Sequence, residues 1–125
     1  IEDPFDEEAF GDFARLKHDT SIRIVGDDLT VTNVALLQKG LASESINAMI
    51  IKPNQIGTLS ETLATMALAR EHDIDLIVSH RSGETMDDFI ADLAYAFGCF
   101  GMKAGSPTKP ERMVKYERLR TIATT

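Results

Sequence analysis

The chain has 125 residues, of which 43% are hydrophobic, and a formal net charge of −7. This length and apolar content predict one globular domain with a single core, and no apolar run is long enough to span a membrane. The negative charge argues against nucleic acid or an anionic membrane surface as a partner. A single cysteine, Cys99, excludes an internal disulfide, and the lack of any targeting signal favours a cytoplasmic location.

The predicted elements alternate between strand and helix in chain order. Residues 1–4 resemble the tail of a strand, so we expect the sequence to begin inside an element and to be a fragment. A helix follows, with Asp6 as its cap and an end near Lys17. The β-branched run over residues 21–26 predicts a second strand, and Asn33 is expected to cap a helix that stops at Gly40 or slightly beyond.

The apolar run 48–51, closed by Pro53, predicts a strand that is buried on both faces. Residues 58–61 have the form of a capping box and predict a helix that reaches about residue 72. We expect the following four residues to form the buried stripe of that helix: Leu59, Leu63, Met66 and Ala67.

A fourth strand is predicted over residues 75–78, followed by a helix that Thr85 caps and Gly98 ends. A short fifth strand over residues 100–102 leads to a closing helix that starts near Pro110. The inward residues are expected at helical spacing in both helices: Phe89, Ile90, Leu93 and Phe97 in the first, and Met113, Tyr116, Leu119 and Ile122 in the second.

Alternation of strand and helix predicts parallel βαβ units, about five of them, with right-handed crossovers. The strand ends carry polar residues at steps of roughly 25 residues, close to the length of a βαβ unit. These residues are Glu2, Asp27, Lys52, His80 with Arg81, and Lys103. The carboxyl ends of parallel strands meet at one edge, so we expect the carboxylates and the cations to line one crevice.

Lys52, at the end of a buried strand, is a candidate general base. Partial desolvation and neighbouring cations disfavour its ammonium form, so that the neutral amine can accept a proton. The alternative is a lysine whose stem packs against the protein while its amine reaches water.

Glu2 and Asp27 offer the hard oxygen ligands that Mg²⁺ prefers, and Asp28 is more ambiguous and suits an outer position. Alternatively, these acids accept backbone hydrogen bonds in loops. Arg81 and Ser82, beside a glycine and before a helix, suit a phosphate or a carboxylate.

His80 and Lys103 are less determined, because a lone histidine is more often structural and a lysine at a strand end is often solvated. No nucleophile elbow, Walker loop or Rossmann glycine pattern is present. A signalling receiver domain is a rival interpretation, but it needs an aspartate at the end of the central strand where Lys52 stands.

Four segments, in order and with their spacing, resemble enolase. They are residues 1–5 (IEDPF), 26–33 (GDDLTVTN), 52–58 (KPNQIGT) and 79–85 (SHRSGET). The resemblance implies a partial TIM-type barrel, with residues 1–125 as the carboxyl-terminal half of the catalytic barrel and the amino-terminal domain and early strands absent. It also implies phosphopyruvate hydratase, a Mg²⁺-dependent lyase of glycolysis and gluconeogenesis that reversibly dehydrates 2-phosphoglycerate to phosphoenolpyruvate.

The resemblance further implies residue roles. Glu2 and Asp27 correspond to magnesium ligands, Lys52 to the base, and Lys103 to the lysine at the substrate carboxylate. Arg81 and Ser82 correspond to the phosphate clamp, with Ser79 and His80 in the same substrate loop, and Asp27 and Lys52 also face the substrate.

Two readings therefore remain. In the first, the chain supplies the base and the substrate-binding half of an enolase site, and is inactive alone because the site is incomplete. In the second, it is a catalytically silent, enolase-derived module that binds phosphate or a partner. The family implies a homodimer or higher homo-oligomer for an intact protein.

Overall fold

The computed structural model describes residues 1–125 and is of the α/β type, with four strands and six helices. It divides into a first unit, Ile1–Leu76, and a second unit, Ile77–Thr125. No helix is long and apolar enough to cross a membrane.

The strands of the first unit are parallel. β1 (Val25–Gly26) pairs with β2 (Ala48–Ile51), Val25 opposite Ala48 and Gly26 opposite Met49. Glu2 forms a single parallel bridge with Val25, so the expected first strand is present only as that bridge. β1 is shorter than predicted because Asn47 Oδ1, rather than a neighbouring strand, accepts the N–H of Ile24.

Four helices belong to this unit: α1 (Phe10–Asp19), α2 (Val34–Ala42), α3 (Pro53–Ile56) and α4 (Leu59–Glu71). The cap prediction for α2 is confirmed, since Asn33 Oδ1 accepts the N–H groups of Ala35 and Leu36. The prediction that Asp6 caps α1 is wrong. Asp6 belongs to a turn before the helix, in which the Asp6 carbonyl accepts the Ala9 N–H. The one-turn helix α3 was not predicted.

The capping box of α4 is confirmed, since Thr58 Oγ1 accepts the Glu61 N–H and donates to the Glu61 carboxylate. Its buried face agrees with the predicted one only at Met66, however. Leu59 is 47% exposed, and the buried residues are Thr62, Thr65, Met66 and Ala69. The two threonines are tolerated there because each hydroxyl donates to a backbone carbonyl, Thr62 to Thr58 and Thr65 to Thr32.

β3 (Asp75–Ser79) begins in the first unit, and its last three residues belong to the second. There it pairs in parallel with β4 (Gly101–Lys103), and Ser79 lies opposite Lys103. The helices of this unit are α5 (Phe89–Ala96) and α6 (Pro110–Ala123).

The buried faces of both helices of the second unit differ from the predicted ones, except that Leu93 of α5 is buried as predicted. α5 starts at Phe89, not beside Thr85, and Phe89 is 41% exposed while Ala91, Leu93 and Ala94 are buried. In α6 the buried residue is Lys115, and the predicted stripe of Met113, Tyr116, Leu119 and Ile122 is only half-buried.

Candidate active site

Lys52 stands where the sequence predicted, directly after a strand whose four residues are all buried. Pro53 occupies the first turn of α3, so the chain changes from strand to helix at Lys52. The Lys52 backbone N–H donates to Thr32 Oγ1 at 2.9 Å, which fixes the residue at the turn. The backbone at this strand end is therefore held by a hydrogen bond in addition to the strand pairing.

The Lys52 ammonium donates to Asp27 Oδ2 at 2.6 Å. The two side chains are only 15% and 12% exposed, so this is a largely desolvated ion pair. The other carboxylate oxygen, Asp27 Oδ1, is buried and has no hydrogen-bond partner. Since a buried acceptor without a partner is unfavourable, Oδ1 is suited to receive a cation or a donor from a ligand.

Three carboxylates meet beside this pair. One oxygen from each of Asp3, Asp27 and Asp28 lies within 4.8 Å of the others. Asp3 already accepts two backbone N–H groups, from Asp27 at 2.9 Å and from Asp28 at 2.7 Å, so its role is to shape the turn. Asp3 is a residue that sequence reasoning missed, although its place next to Glu2 was a signal.

Glu2 lies on the bridge to Val25 and is exposed. Within the cluster of three carboxylates, Asp27 carries the buried oxygen without a hydrogen-bond partner, and the exposed Asp28 lies at the edge. Hard oxygen donors with one buried, unmatched atom fit a divalent cation of the magnesium type, as part of a cage.

The predicted substrate loop, residues 79–85, lies in the second unit at the end of β3. Ser79 is buried and its hydroxyl donates to the carbonyl of His80. The His80 N–H donates to Lys103 O at 2.9 Å, and His80 Nδ1 lies 3.1 Å from the same carbonyl. Because a carbonyl only accepts, Nδ1 carries the hydrogen and Nε2 is left as an acceptor.

Burial lowers the pKa of His80, and the charges of Arg112 and Lys103 act in the same direction. The hydrogen bond to the Lys103 carbonyl and the charge of Glu84 oppose this shift without reversing it. Burial therefore favours the neutral form of the His80 ring, which acts as a hydrogen-bonding group.

Arg81 is half-buried and Ser82 is exposed. The predicted helix start beside them is wrong, because α5 begins only at Phe89. Asp87 N–H instead bonds to Thr85 Oγ1 in a turn before that helix. Any anion at Arg81 and Ser82 is thus bound by the loop and its side chains, without the N-terminus of α5.

Sequence reasoning also missed the residues that hold this loop. The Arg81 N–H donates to Glu84 Oε1 at 2.7 Å, and Glu84 Oε2 lies 2.9 Å from Lys115 Nζ. Burial acts to raise the pKa of Glu84, but the Arg81 N–H and the Lys115 ammonium outweigh burial and lower it. Arg112 donates to the carbonyls of Arg81 and Ser82 at 2.8 and 3.0 Å.

A family model defines the class of protein to which the chain belongs. The family "Enolase, C-terminal TIM barrel domain" matches residues 1–124, so the parallel strands and helices are those of a partial barrel. Enolases of Ureaplasma parvum serovar 3 and Methanopyrus kandleri are 50% and 48% identical over 123 and 124 residues, each match covering 98% of this chain. An enolase of Helicobacter pylori is 49% identical over 124 residues, also 98% of the chain.

The chain belongs to the enolase family. It spans only 28% or 29% of the length of these relatives.

Proposed function

We propose that the chain contributes the base and the substrate-binding residues of a phosphopyruvate hydratase that interconverts 2-phosphoglycerate and phosphoenolpyruvate. The observation that carries the proposal is the Lys52–Asp27 pair. A lysine at the end of a buried strand donates at 2.6 Å to a carboxylate whose second oxygen is buried and unmatched.

In the proposed reaction, the Lys52 ammonium first releases a proton, and its amine Nζ then removes the proton from the carbon next to the substrate carboxylate. The electron pair moves into that carboxylate to give an enediolate, and hydroxide then leaves from the neighbouring carbon as the double bond forms. A proton beside a carboxylate is very weakly acidic, so the reaction needs fixed positive charge where the enediolate oxygens develop. Lys103 is proposed to supply part of that charge.

Asp27 and Glu2 are the proposed ligands of Mg²⁺, and the free Oδ1 of Asp27 supports this assignment. When bound, the metal supplies Lewis-acid stabilisation of negative charge on the substrate carboxylate. Asp27 has a second role, since it accepts a hydrogen bond from Lys52 Nζ and so orients the base.

The substrate phosphate is proposed to bind Arg81 and Ser82, with Ser79 and His80 in the same loop. A guanidinium fork and a hydroxyl suit phosphate oxygens. In the neutral form that burial favours, His80 keeps Nε2 as an acceptor, so it suits a hydroxyl or a water at the substrate better than a phosphate oxygen.

The proposal also includes a cytoplasmic location and a homo-oligomeric intact enzyme, both from the family resemblance. It is tested by mixing the chain with Mg²⁺ and 2-phosphoglycerate and following phosphoenolpyruvate by its ultraviolet absorbance. We expect no appreciable turnover from the 125 residues alone, and turnover from an intact enolase that carries them. An intact enolase that binds phosphate without turnover would favour the silent binding module.

A further inference from the structure

Lys115 is the buried residue of α6, with 1% of its surface exposed. Its three N–H groups have three acceptors within hydrogen-bond distance. They are the carbonyl of Thr85 at 2.9 Å, the carbonyl of Glu111 at 2.8 Å and the carboxylate of Glu84 at 2.9 Å. An ammonium with three such partners has no donor left for a ligand, so its role is exerted through the residues that it holds.

Two of those partners belong to the loop of residues 79–85. Glu84 connects Lys115 to Arg81, since one carboxylate oxygen faces the ammonium and the other accepts the Arg81 N–H at 2.7 Å. Thr85, next along the chain, is fixed through its carbonyl.

Arg112, one helical turn before Lys115, holds the other end of the same loop. Its two terminal nitrogens donate to the carbonyls of Arg81 and Ser82, at 2.8 and 3.0 Å. Gly105 makes room for this arrangement, because a side chain there would meet Arg112 Cδ and His80 Nε2 at 3.2 Å. Cations of α6 thus bind the carbonyls of Arg81, Ser82 and Thr85 and the side chain of Glu84.

We propose that Arg112 and Lys115, together called the α6 clamp, are positioning residues that hold the Arg81–Ser82 segment in its phosphate-binding conformation. The inference rests on the proposed function for the identity of the anion. Residues 80–88 contain no helix or strand, and Gly83 gives the segment extra backbone freedom. Fixing the carbonyls beforehand lowers the entropy lost when Arg81 and Ser82 bind an anion.

The test compares Lys115→Met and Arg112→Met with Arg120→Met in an intact enolase that carries these residues. Arg120 lies in the same helix but is exposed, so it is the matched control. We expect either clamp variant to raise the KM for 2-phosphoglycerate by about 10–100-fold, the usual effect of losing a supporting partner. The kcat should fall by less than about threefold, because the lost interaction supports binding of ground state and transition state alike.

Amide hydrogen exchange gives a second readout that does not depend on turnover. Exchange at residues 81–85 should be faster in both clamp variants and unchanged in Arg120→Met. Because Lys115→Met removes a buried charge and risks misfolding, the half-buried Arg112→Met keeps the test decisive. Unchanged KM and unchanged exchange in a folded Arg112→Met protein would overturn the inference.

Failure of the proposed function has a different signature. If the unmodified intact protein makes no phosphoenolpyruvate, the hydratase assignment fails. The inference is then judged by exchange in the loop and by the affinity for inorganic phosphate measured by calorimetry. Faster exchange with tenfold weaker phosphate binding would support the clamp, and equal values in all variants would reject it.

Discussion

Each of the two units contains a lysine that is largely shielded from water and paired with a carboxylate, and the hydrogen-bonding groups of the two pairs are satisfied to different degrees. In the first unit, Lys52 donates to Asp27 Oδ2 while Asp27 Oδ1 is buried without a partner. In the second, Lys115 has three acceptors and both oxygens of Glu84 have donors. An incompletely satisfied pair retains capacity for a ligand, whereas a satisfied pair fixes structure.

The largest effect is expected on kcat, when the lysine of the incompletely satisfied pair is removed. Lys52→Ala in an intact enolase carrying these residues should lower kcat by about 10²–10⁴-fold, the usual contribution of a general base. The measurement is steady-state formation of phosphoenolpyruvate, with Lys17→Ala as the control. Near-normal kcat for Lys52→Ala in a folded enzyme would remove Lys52 from the reaction.

The second prediction concerns the stability of the satisfied pair. Lys115→Met leaves the mostly shielded carboxylate of Glu84 without its cation, and removal of one partner from a buried ion pair usually costs about 3–5 kcal/mol. Urea unfolding of the chain, followed by circular dichroism, should show this loss in Lys115→Met and almost none in Arg120→Met. A loss of less than about 1 kcal/mol, which is typical of exposed ion pairs, would contradict the conclusion that the Lys115–Glu84 pair fixes structure.

A smaller effect is expected from Mg²⁺ on the incompletely satisfied pair. If Asp27 Oδ1 holds the metal, Mg²⁺ at about 100 times its Kd should stabilise the chain by about 2.7 kcal/mol. The urea midpoint is measured with Mg²⁺ and with NaCl at equal ionic strength, for the unmodified chain, Asp27→Asn and the exposed control Glu44→Gln. Equal increments in the unmodified chain and in Asp27→Asn would exclude Asp27 as a ligand.

The strand end at Lys52 and two helix caps could be predicted from the sequence. Lys52 was placed correctly because an apolar run followed by Pro53 determines where a buried strand ends, and Asn33 and Thr58 were identified as caps by local chemistry. These signals act within a few residues, so sequence spacing is sufficient to find them.

The Lys115–Glu84 pair could not be predicted in the same way. A lysine in a helix is ordinarily solvated, and the groups that make burial of Lys115 acceptable include Glu84 and Thr85, about one βα unit earlier in the chain. The same holds for Thr65 in α4, whose hydroxyl reaches the carbonyl of Thr32. Periodicity selects apolar faces, whereas these buried polar residues depend on partners distant in sequence.

The smallest effect is the pH dependence of the satisfied pair. The pKa of Glu84 is lowered from its ordinary value of 4.5, so its carboxylate stabilises the folded state above that pH, and this contribution is lost as the pH falls through the lower folded value. The free energy of unfolding should therefore differ most between the unmodified chain and Glu84→Gln at neutral pH, and the difference should shrink below pH 4.5. Since the pKa of His80 is also lowered, protonation of His80 disfavours the folded state as the pH falls below 6.5, but it does so in both proteins and largely cancels. The measurement runs from pH 7 to pH 3 and roughly one unit beyond each end of that range. A difference that stays constant throughout would mean that Glu84 acts through its shape and not through its charge.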